Sequence, residues 1–459
     1  VKFLRGFFSF VIIDLKNNEV FGAVDRHSIK PLYYTHDKIN KIFICTSDYS
    51  ATLKSGLVKK KINFQKIIDF LIFARQFDDN TIISNIKKLS QATYFSIKKD
   101  KIRLNNYWQP FVFSKYKDLK INKNRIINKL NQNFIDLIKN WKTSDEKISL
   151  CLSSGLDSLI IKKYLNKAKV PVKSYSILEG KKIYGIDKKI SLNTKKIIKL
   201  INKYCKDNFN PFPLANSSST SLFQIYEKLS HDKFKVTFNG EGSDEHFGGY
   251  TRYNRTIKYI KSGHKFNDAI MKTFNKEIEL LYSVLKKEKR KFKNRIKSKI
   301  KSIKLKSKKE ENKILEFDQL TWIPALIQRH DMIGMNFGLE VRPPFLDHEL
   351  VSYINTLPTK YKFNNSARKI ILNDLLKKKF NHKFINHKFG TPSVYKEIMR
   401  DQKEIKSFKK SLSRKEFSKY FDIKQIMKIL KSQNNQEIFI WRLYVISKMF
   451  NNFKLNLSK

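Results

Sequence analysis

Two different patterns of hydrophobic and polar residues follow one another along this chain of 459 residues. Up to about residue 110, short β-branched and aromatic runs such as EVFGAV and KIFICTS are separated by polar turn residues, which is typical of β-strands. The run TYFSIKKDKIRLNNYW predicts a hairpin that turns across residues 98–101. One helix is predicted near residues 64–73. We therefore expect the first part of the chain to be rich in β-structure.

After Pro110 the spacing of the apolar residues changes to that of helices and buried strands. In NRIINKLNQNFIDLIKNW, apolar residues recur every three or four positions, which predicts an amphipathic helix. Three short apolar runs are predicted strands: residues 148–152, 172–178 and 235–240. Strands that alternate with helices indicate a parallel sheet, whose ligands bind at the carboxyl ends of the strands. Beyond about residue 255 the pattern is mostly helical, so we predict an α/β fold with domains at residues 1–115 and 116–459.

The first predicted strand of the parallel sheet ends in the loop LSSGLDS, residues 152–158. A strand, a tight Ser/Gly turn and a helix N-terminus form an anion site, because free backbone N–H groups and the positive end of the helix face the ligand. Ser153, Ser154 and Ser158 add hydroxyl donors. Asp157 would repel a bare phosphate, so its presence suggests that Mg²⁺ bridges it to phosphate oxygens. An ordinary helix cap is the alternative interpretation.

The third predicted strand leads into FNGEGSDEHFGGY, residues 238–250, which contains four glycines and three carboxylates. Glycines let the backbone approach a ligand closely, and clustered carboxylates repel one another unless a cation lies between them. The stretch therefore predicts a loop that holds a metal-bound anion, with a surface turn as the alternative. Asp244, Glu245 and His246 are also candidates for solvent-facing loop residues, and we expect this of His246.

The chain is strongly basic, with 94 Lys and Arg residues against 41 Asp and Glu residues and a formal net charge of +53. Such a charge is typical of nucleic-acid binding. However, the lysines run from end to end of the chain among many Asn and Ile residues, so we do not expect a nucleic-acid partner. The densest run, residues 285–313, is expected to be a solvated helical insertion, with RNA or membrane contact as the alternative.

The three cysteines, Cys45, Cys151 and Cys205, lie far apart and form no CxxC pair. This spacing argues against a disulfide framework and against a structural zinc site, and it fits a reducing cytoplasm. Cys45 lies within the apolar run IFICTS and is expected to be a core residue. No apolar run reaches the ~18 residues that a transmembrane helix requires, so we expect no membrane segment.

Seven segments resemble one protein family, in the family's own order. LSSGLDS resembles the pyrophosphate-binding loop, SGGxDS, of ATP pyrophosphatases, and NGEGSDEHFGGY resembles the SGEGxDExFGGY signature of asparagine synthetases. LEVRPPFLDHELV, RKIILNDLL and KFGTPSVYKEIM are similar to segments that follow in that family. In the first part, LRGFFSFVIID and DRHSIKPLYY are similar to LxGxFAFxxxD and DRxGIKPLYY of its glutaminase domain. Seven agreements in sequence are far more specific than any single motif.

The resemblance implies a fold and a reaction. Residues 1–115 would be the C-terminal remainder of a class II glutamine amidotransferase domain, a β-sandwich of the N-terminal nucleophile type, and the rest a PP-loop ATP pyrophosphatase-type domain. The carboxylate of aspartate would attack the α-phosphate of ATP, giving β-aspartyl-AMP and pyrophosphate, and ammonia would then displace AMP to give asparagine. ATP and Mg²⁺ are the implied cofactors, and aspartate with glutamine or ammonia the implied substrates, in a cytoplasmic enzyme that could form a homodimer.

The resemblance also implies roles for individual residues. Glu241 would be the base or the ammonia-orienting group, and Lys369 would supply the cation that stabilises the transition state at the α-phosphate. Asp157 and Asp244 would be the carboxylates that bind Mg²⁺. The residues expected to hold the nucleotide are Leu152, Ser153, Ser154, Gly155, Asp157, Ser158, Ile177, Asn239 and Gly240.

The sequence departs from the family pattern at three points. Ser154 replaces a glycine, so a left-handed backbone there would be strained, and Asn239 replaces a serine. The catalytic cysteine that begins the family's glutaminase domain is missing ahead of Val1. We therefore expect a truncated chain that does not hydrolyse glutamine and uses free ammonia at most. We also expect the incomplete glutaminase half to aggregate or to be poorly ordered, because lost strands expose unpaired edges.

Several alternatives stay open at this point. Arg342 and Asp347 in VRPPFLD are expected either to form a buried ion pair that fixes their loop or to contact the substrate. The adenylation chemistry could also serve a different carboxylate, as in the related enzymes that close β-lactam or macrolactam rings. A third possibility is a basic RNA-binding or scaffold protein with a degenerate enzyme fold. The retained residues Asp157, Glu241, Asp244 and Lys369 argue against it.

Overall fold

The computed structural model describes residues 1–110, 122–177, 186–286, 289–384, 392–432 and 436–452. The predicted domain boundary near residue 115 lies outside these ranges, and so do Leu178 and the beginning of the segment KFGTPSVYKEIM. The described chain is β-rich at first, then alternates strands with helices, and becomes helical towards its end. This order confirms the predicted α/β fold class.

The first part contains two antiparallel sheets and two helices. The strands are β1 (Ser9–Asp14), β2 (Glu19–Val24), β3 (Tyr33–Asp37), β4 (Ile42–Thr46), β5 (Lys87–Lys88), β6 (Thr93–Lys98) and β7 (Lys101–Asn106), and the helices are α1 (Tyr49–Lys54) and α2 (Phe64–Ile72). One sheet has the order β1-β2-β6-β7 and the other β4-β3-β5. The predicted hairpin is β6–β7, and it turns at Lys99 and Asp100, whose φ angles of 49° and 58° are typical of a two-residue hairpin turn.

The edge strand β1 exposes apolar side chains on both of its faces. Val11, Ile12 and Ile13 follow one another along the strand and are all exposed, Ile13 by 65%. An exposed apolar edge is a template for pairing with other chains. Within the whole chain this half forms regular sheets, and the aggregation of an isolated 1–115 fragment stays a prediction.

The second part is built on a parallel sheet of five strands. They are β8 (Ile148–Cys151), β9 (Val172–Ser176), β10 (Lys188–Lys189), β11 (Val236–Phe238) and β12 (Glu340–Arg342), in the order β10-β9-β8-β11-β12. All four neighbouring pairs are parallel. Three of the five strands were predicted; the short β10 and β12 carry too few apolar residues to be recognised.

Helices cover this sheet and make up most of the rest of the chain. They are α3 (Lys123–Trp141), α4 (Leu156–Lys167), α5 (Thr194–Asp207), α6 (Thr220–His231), α7 (Ser243–Phe247), α8 (Thr251–Lys261), α9 (Phe266–Thr273), α10 (Asn275–Val284), α11 (Lys289–Lys301), α12 (Glu310–Thr321), α13 (Ile323–Met335), α14 (His348–Thr356), α15 (Ile370–Phe380), α16 (Tyr395–Ile398), α17 (Gln402–Leu412), α18 (Lys415–Ser418), α19 (Ile423–Lys431) and α20 (Glu437–Asn452). The apolar face of α3, predicted from its spacing, packs against α4, α14 and α15, and all of its predicted apolar residues except Trp141 are buried.

The two parts of the chain share a hydrophobic core. Helix α2 of the first part packs against α20, and their apolar residues belong to one buried cluster. Arg442 on α20 donates hydrogen bonds of 2.9 Å to the carbonyls of Leu71 and Ile72 at the end of α2. The β-rich part is therefore attached to the helical C-terminal part by buried contacts.

The lysine-rich segment is helical and largely solvated, as predicted, but one face of its helix packs on the protein. Ile296 and Ile300 on α11 are buried. The Lys299 ammonium forms ion pairs with Asp78 and, at 3.5 Å, with Asp69. The helix is amphipathic, so one face packs on the protein while the other carries exposed lysines.

Candidate active site

The loop LSSGLDS leaves the carboxyl end of β8 and enters α4. Its serine side chains fold the loop on itself: the Ser153 N–H donates to Ser158 Oγ at 3.0 Å, and the Gly155 N–H donates to Ser153 Oγ at 3.1 Å. The N-cap of α4 is Gly155, which makes no side-chain cap hydrogen bond. The alternative interpretation, an ordinary side-chain cap, was therefore wrong. The positive end of α4 faces the loop.

Ser154 is not among the described residues with a positive φ, so the strain considered for a left-handed serine does not arise. The left-handed residue of this region is Lys369, with φ of 51° and ψ of 39°, immediately before α15. A non-glycine residue in this conformation carries a backbone cost, and such residues cluster at ligand sites.

Lys369 brings together the two aspartates predicted from the two loops. Its ammonium lies 2.6 and 2.7 Å from the carboxylate oxygens of Asp157 and 2.5 Å from Asp244 Oδ1. All three side chains are largely buried. Two carboxylates that converge on one cation are oxygen donors of the kind that Mg²⁺ prefers, so the residues fit a shared metal. Phosphate oxygens or water would have to complete its coordination.

Two glycines make this convergence possible. A Cβ on Gly240 would lie 2.7 Å from Asp157 Cβ and 2.9 Å from the Ser158 nitrogen, so only glycine lets the two loops touch. A Cβ on Gly249 would overlap both the Asp244 carboxylate and the Lys369 side chain. Gly240 and Gly249 are therefore required by the close packing around the charged cluster.

Glu241 lies in the same loop but has different partners. Its N–H donates to Asn239 Oδ1 at 3.2 Å, and its Oε1 accepts hydrogen bonds from Arg329 Nη2 and His330 Nε2, both at 2.8 Å. His330 Nδ1 lies 2.6 Å from the Tyr226 hydroxyl. Sequence reasoning missed these three partners, because they come from α6 and α13, which carry no motif of their own.

The expected exposure of His246 was wrong. His246 is 0% exposed, and its neighbour Glu245 is also fully buried. Burial and the nearby Asp244 carboxylate raise the pKa of Glu245, while burial lowers that of His246. Four of the five residues of α7 are buried and Asp244 is partly exposed, so Glu245 and His246 point into the protein rather than to solvent.

The remaining predicted nucleotide residues lie at strand ends. Leu152 and Ile177 are buried at the carboxyl ends of β8 and β9, and Asn239 follows β11. Arg342 and Asp347 have separate partners: the Arg342 guanidinium pairs with Glu340 at 2.6 Å, and Asp347 caps α14. Arg342 and Asp347 therefore do not pair with each other, which was one of the two alternatives; the other, contact with the substrate, stays open.

Burial raises the pKa of each of the three cysteines, to about 12 for Cys45 and Cys205 and to about 11 for Cys151. Cys45 packs beside a small apolar cluster, as expected for a core cysteine. The thiolate is the nucleophilic form of cysteine, and burial disfavours that form at all three positions.

The order of the sheets, with the antiparallel ones first and a parallel one carrying a Ser/Gly loop at its carboxyl edge, is that of a class of two-domain proteins. These proteins join a glutamine amidotransferase-type domain to a parallel α/β domain. Residues 1–108 match the family model described as a glutamine amidotransferase domain, and residues 180–451 match the model described as asparagine synthase. The chain belongs to the asparagine synthase family.

Curated relatives extend this similarity over most of the chain. It is 25% identical to asparagine synthetase [glutamine-hydrolyzing] 3 of Bacillus subtilis, over 82% of this chain and 65% of that protein. It is 22% identical to asparagine synthetase [glutamine-hydrolyzing] 1 of the same organism, over 80% and 64%. It is also 23% identical to amidase chry2 of Gibberella zeae, over 80% and 65%. The chain thus spans less than two thirds of the length of these relatives.

The described helices include none that combines the length and the apolar character needed to cross a bilayer.

Proposed function

We propose that the chain catalyses ATP-dependent amidation of aspartate to asparagine through β-aspartyl-AMP, with release of AMP and pyrophosphate. The observation that carries the proposal is the Lys369 ammonium between Asp157 and Asp244, at the mouth of the Ser/Gly loop. Family membership supports ATP-dependent amidation in general. Aspartate as the substrate and β-aspartyl-AMP as the intermediate are part of this proposal. We also propose residues 1–115 and 116–459 as the two domains.

In the first step a substrate carboxylate oxygen attacks the α-phosphorus of ATP, and the bond to the β-phosphate breaks, with its electron pair leaving on pyrophosphate. Ser153, Ser158 and the first-turn amides of α4 would hold the pyrophosphate oxygens. Asp157 and Asp244 would hold Mg²⁺, which when bound neutralises phosphate charge. Lys369 would donate hydrogen bonds to the oxygens on which charge develops.

In the second step ammonia attacks the acyl carbon of the adenylate, a C–N bond forms, and the bond to the phosphate oxygen breaks with release of AMP. The nitrogen then carries a surplus proton. Glu241 would accept this proton and pass it to solvent. Because burial disfavours the thiolate form at all three cysteines, we propose free ammonia as the nitrogen source for these 459 residues.

The test is pyrophosphate exchange into ATP, with asparagine formation measured from ammonium chloride and, separately, from glutamine. We expect exchange that depends on aspartate, and asparagine from ammonia only. Lys369→Met should lower both rates about 10²–10³-fold. The matched control is Lys377→Met, an exposed lysine on the same α15, which should retain both rates.

A related amide-forming reaction on another carboxylate is the second candidate, and the similarity to a protein named amidase chry2 favours keeping it. Exchange that responds to a different carboxylate substrate but not to aspartate would select this candidate. Salt-sensitive RNA binding with no exchange for any carboxylate would instead indicate a binding protein that has lost the chemistry.

A further inference from the structure

A buried chain of hydrogen bonds leads from Glu241 into the protein. Glu241 Oε1 accepts from both Arg329 Nη2 and His330 Nε2 at 2.8 Å, and His330 Nδ1 lies 2.6 Å from the Tyr226 hydroxyl. His330 is 6% exposed and Tyr226 is fully buried. The chain thus runs inward to a phenol that has no access to bulk water.

The donor and acceptor properties of these groups determine where the histidine proton lies. An ionised carboxylate only accepts hydrogen bonds, so the 2.8 Å contact to Glu241 requires a proton on Nε2. The Nδ1 lone pair must then accept the Tyr226 O–H. In the other tautomer Nε2 would accept from Arg329 Nη2 at 3.0 Å, but its lone pair would also face the Glu241 oxygen at 2.8 Å, which is repulsive. With the proton on Nε2, the imidazole and the guanidinium both donate to that oxygen.

A doubly protonated His330 is disfavoured by its surroundings. Arg329 Nη2 lies 3.0 Å from His330 Nε2, so an imidazolium would place a second positive charge beside the guanidinium. Burial lowers the pKa of His330, with Arg329 acting in the same direction and Glu241 in the opposite one. His330 is therefore neutral, and its single N–H points at Glu241.

We propose that His330, held as its Nε2–H tautomer by the Tyr226 hydroxyl, is a positioning residue that orients the Glu241 carboxylate for the ammonia step. The inference rests on the proposed function for its catalytic consequence. Two donors on one oxygen fix the plane of a carboxylate whose side chain is otherwise 28% exposed at the site. A base must lie within hydrogen-bond reach of the proton that it removes, so a loosely held Glu241 would slow the proton transfer and leave the preceding adenylation intact.

The proton position can be measured directly by NMR of protein labelled with ¹⁵N-histidine. The His330→Asn variant assigns the His330 signals by their loss. We expect the wild-type protein at neutral pH to show the Nε2–H tautomer, and Tyr226→Phe to shift the population towards the Nδ1–H form. A wild-type His330 that is an imidazolium, or that carries its proton on Nδ1, would overturn the proposal.

The consequence for catalysis is tested by separating the two steps. The His330→Gln amide nitrogen can replace the Nε2 donor, whereas His330→Met has similar length and no donor. We expect asparagine formation to fall at least tenfold in the Met variant and to be largely restored in the Gln variant, with pyrophosphate exchange changed less than twofold in both. Equal losses in both steps, or no loss in the Met variant, would contradict the positioning role.

The two hypotheses fail in different ways. A wild-type chain without aspartate-dependent exchange would remove the proposed function, whereas the NMR tautomer decides the arrangement of His330 whether or not the chain is active.

Discussion

Two buried ionic clusters lie close together in this protein and are built differently. In the site, the Lys369 ammonium is placed between Asp157 and Asp244, so two anions share one cation. In the second cluster, Asp318 on α12 lies between Arg75 and Arg252, so two cations share one anion. The first cluster carries a surplus negative charge and the second a surplus positive charge.

The backbone and the surroundings of the clusters also differ. Lys369 has a left-handed backbone at the junction of a loop and a helix. Arg252, in contrast, lies on a regular helix with its guanidinium 3.7 Å from the centre of the Tyr250 ring, and Arg75 lies 5.2 Å from that of Trp322. Aromatic faces stabilise cations, so the second cluster needs no further partner. We infer that the cluster around Asp318 ties the β-rich part to the helical part, whereas the cluster around Lys369 is arranged to take up an external cation.

The largest effect on stability is expected from Asp318→Ala. The change leaves the buried Arg75 and the partly exposed Arg252 without their carboxylate. Removing one partner of a buried ion pair typically costs about 3–5 kcal/mol. Urea unfolding of the variant against wild type measures this loss. The control is Asp145→Ala at an exposed position, which should stay within about 0.5 kcal/mol. A loss below 1 kcal/mol for Asp318→Ala would mean that the second cluster does not tie the two parts together.

A smaller effect is expected from Lys362, a buried cation whose contacts within the described structure include no carboxylate. Lys362 is 2% exposed, and burial lowers its pKa to about 7. Between this value and its unfolded pKa near 10.5 the unfolded chain binds the extra proton, so stability rises with pH. From pH 7 to 9, wild type should therefore gain on the order of 2 kcal/mol relative to Lys362→Met.

Lys362 shows how a buried lysine behaves without the carboxylates that surround Lys369. At pH 7 and below, Lys362→Met should be more stable than wild type, because the variant removes a buried and unneutralised charge. Lys360→Met, at an exposed position two residues earlier, should follow wild type at every pH. Parallel pH profiles for wild type and Lys362→Met would show that Lys362 keeps its ordinary pKa.

A still smaller effect on stability should appear on adding Mg²⁺ to Lys369→Met. Without the ammonium, Asp157 and Asp244 face one another uncompensated, so Mg²⁺ should stabilise the variant more than wild type. At ten times the dissociation constant, binding contributes about 1.4 kcal/mol. Thermal unfolding with Mg²⁺ or with EDTA at matched ionic strength measures the difference. Adding Asp244→Asn to the variant should remove it, and an equal Mg²⁺ response in wild type and Lys369→Met would argue against a shared metal.

The sequence predicted the site cluster but not the cluster around Asp318, and the reason is physical. Asp157 and Asp244 each lie in a Gly-rich loop that directly follows a strand. The composition of such a loop by itself indicates that the backbone approaches a ligand closely. Asp318 and Arg252 occupy polar positions on ordinary helices, and only long-range packing brings them together. The same holds for Arg329 and His330, so neither pair had a local signal.

Strands and helices with a clear apolar period were predicted well, as α3 and the β6–β7 hairpin show. The error at His246 arose because a polar residue among glycines was expected in a loop open to solvent. The structure instead buries every residue of α7 except Asp244. Local polarity therefore predicted the burial of this segment wrongly, since burial depends on elements distant in sequence, and its chemistry stays a prediction.

The smallest effect on stability is expected at Gly263, and a comparison with Gly249 separates backbone conformation from close packing. Gly263 has φ of 90°, and a Cβ there would have no atom within 4 Å, so Gly263→Ala should cost about 1 kcal/mol through the backbone alone. Gly249 has no positive φ, but its Cβ would overlap Asp244 and Lys369. Gly249→Ala should therefore displace the site cluster and abolish pyrophosphate exchange, while Gly263→Ala keeps it. If the two variants lost exchange equally, the close approach around Lys369 would have no special role, and the contrast between the two clusters would reduce to one of stability.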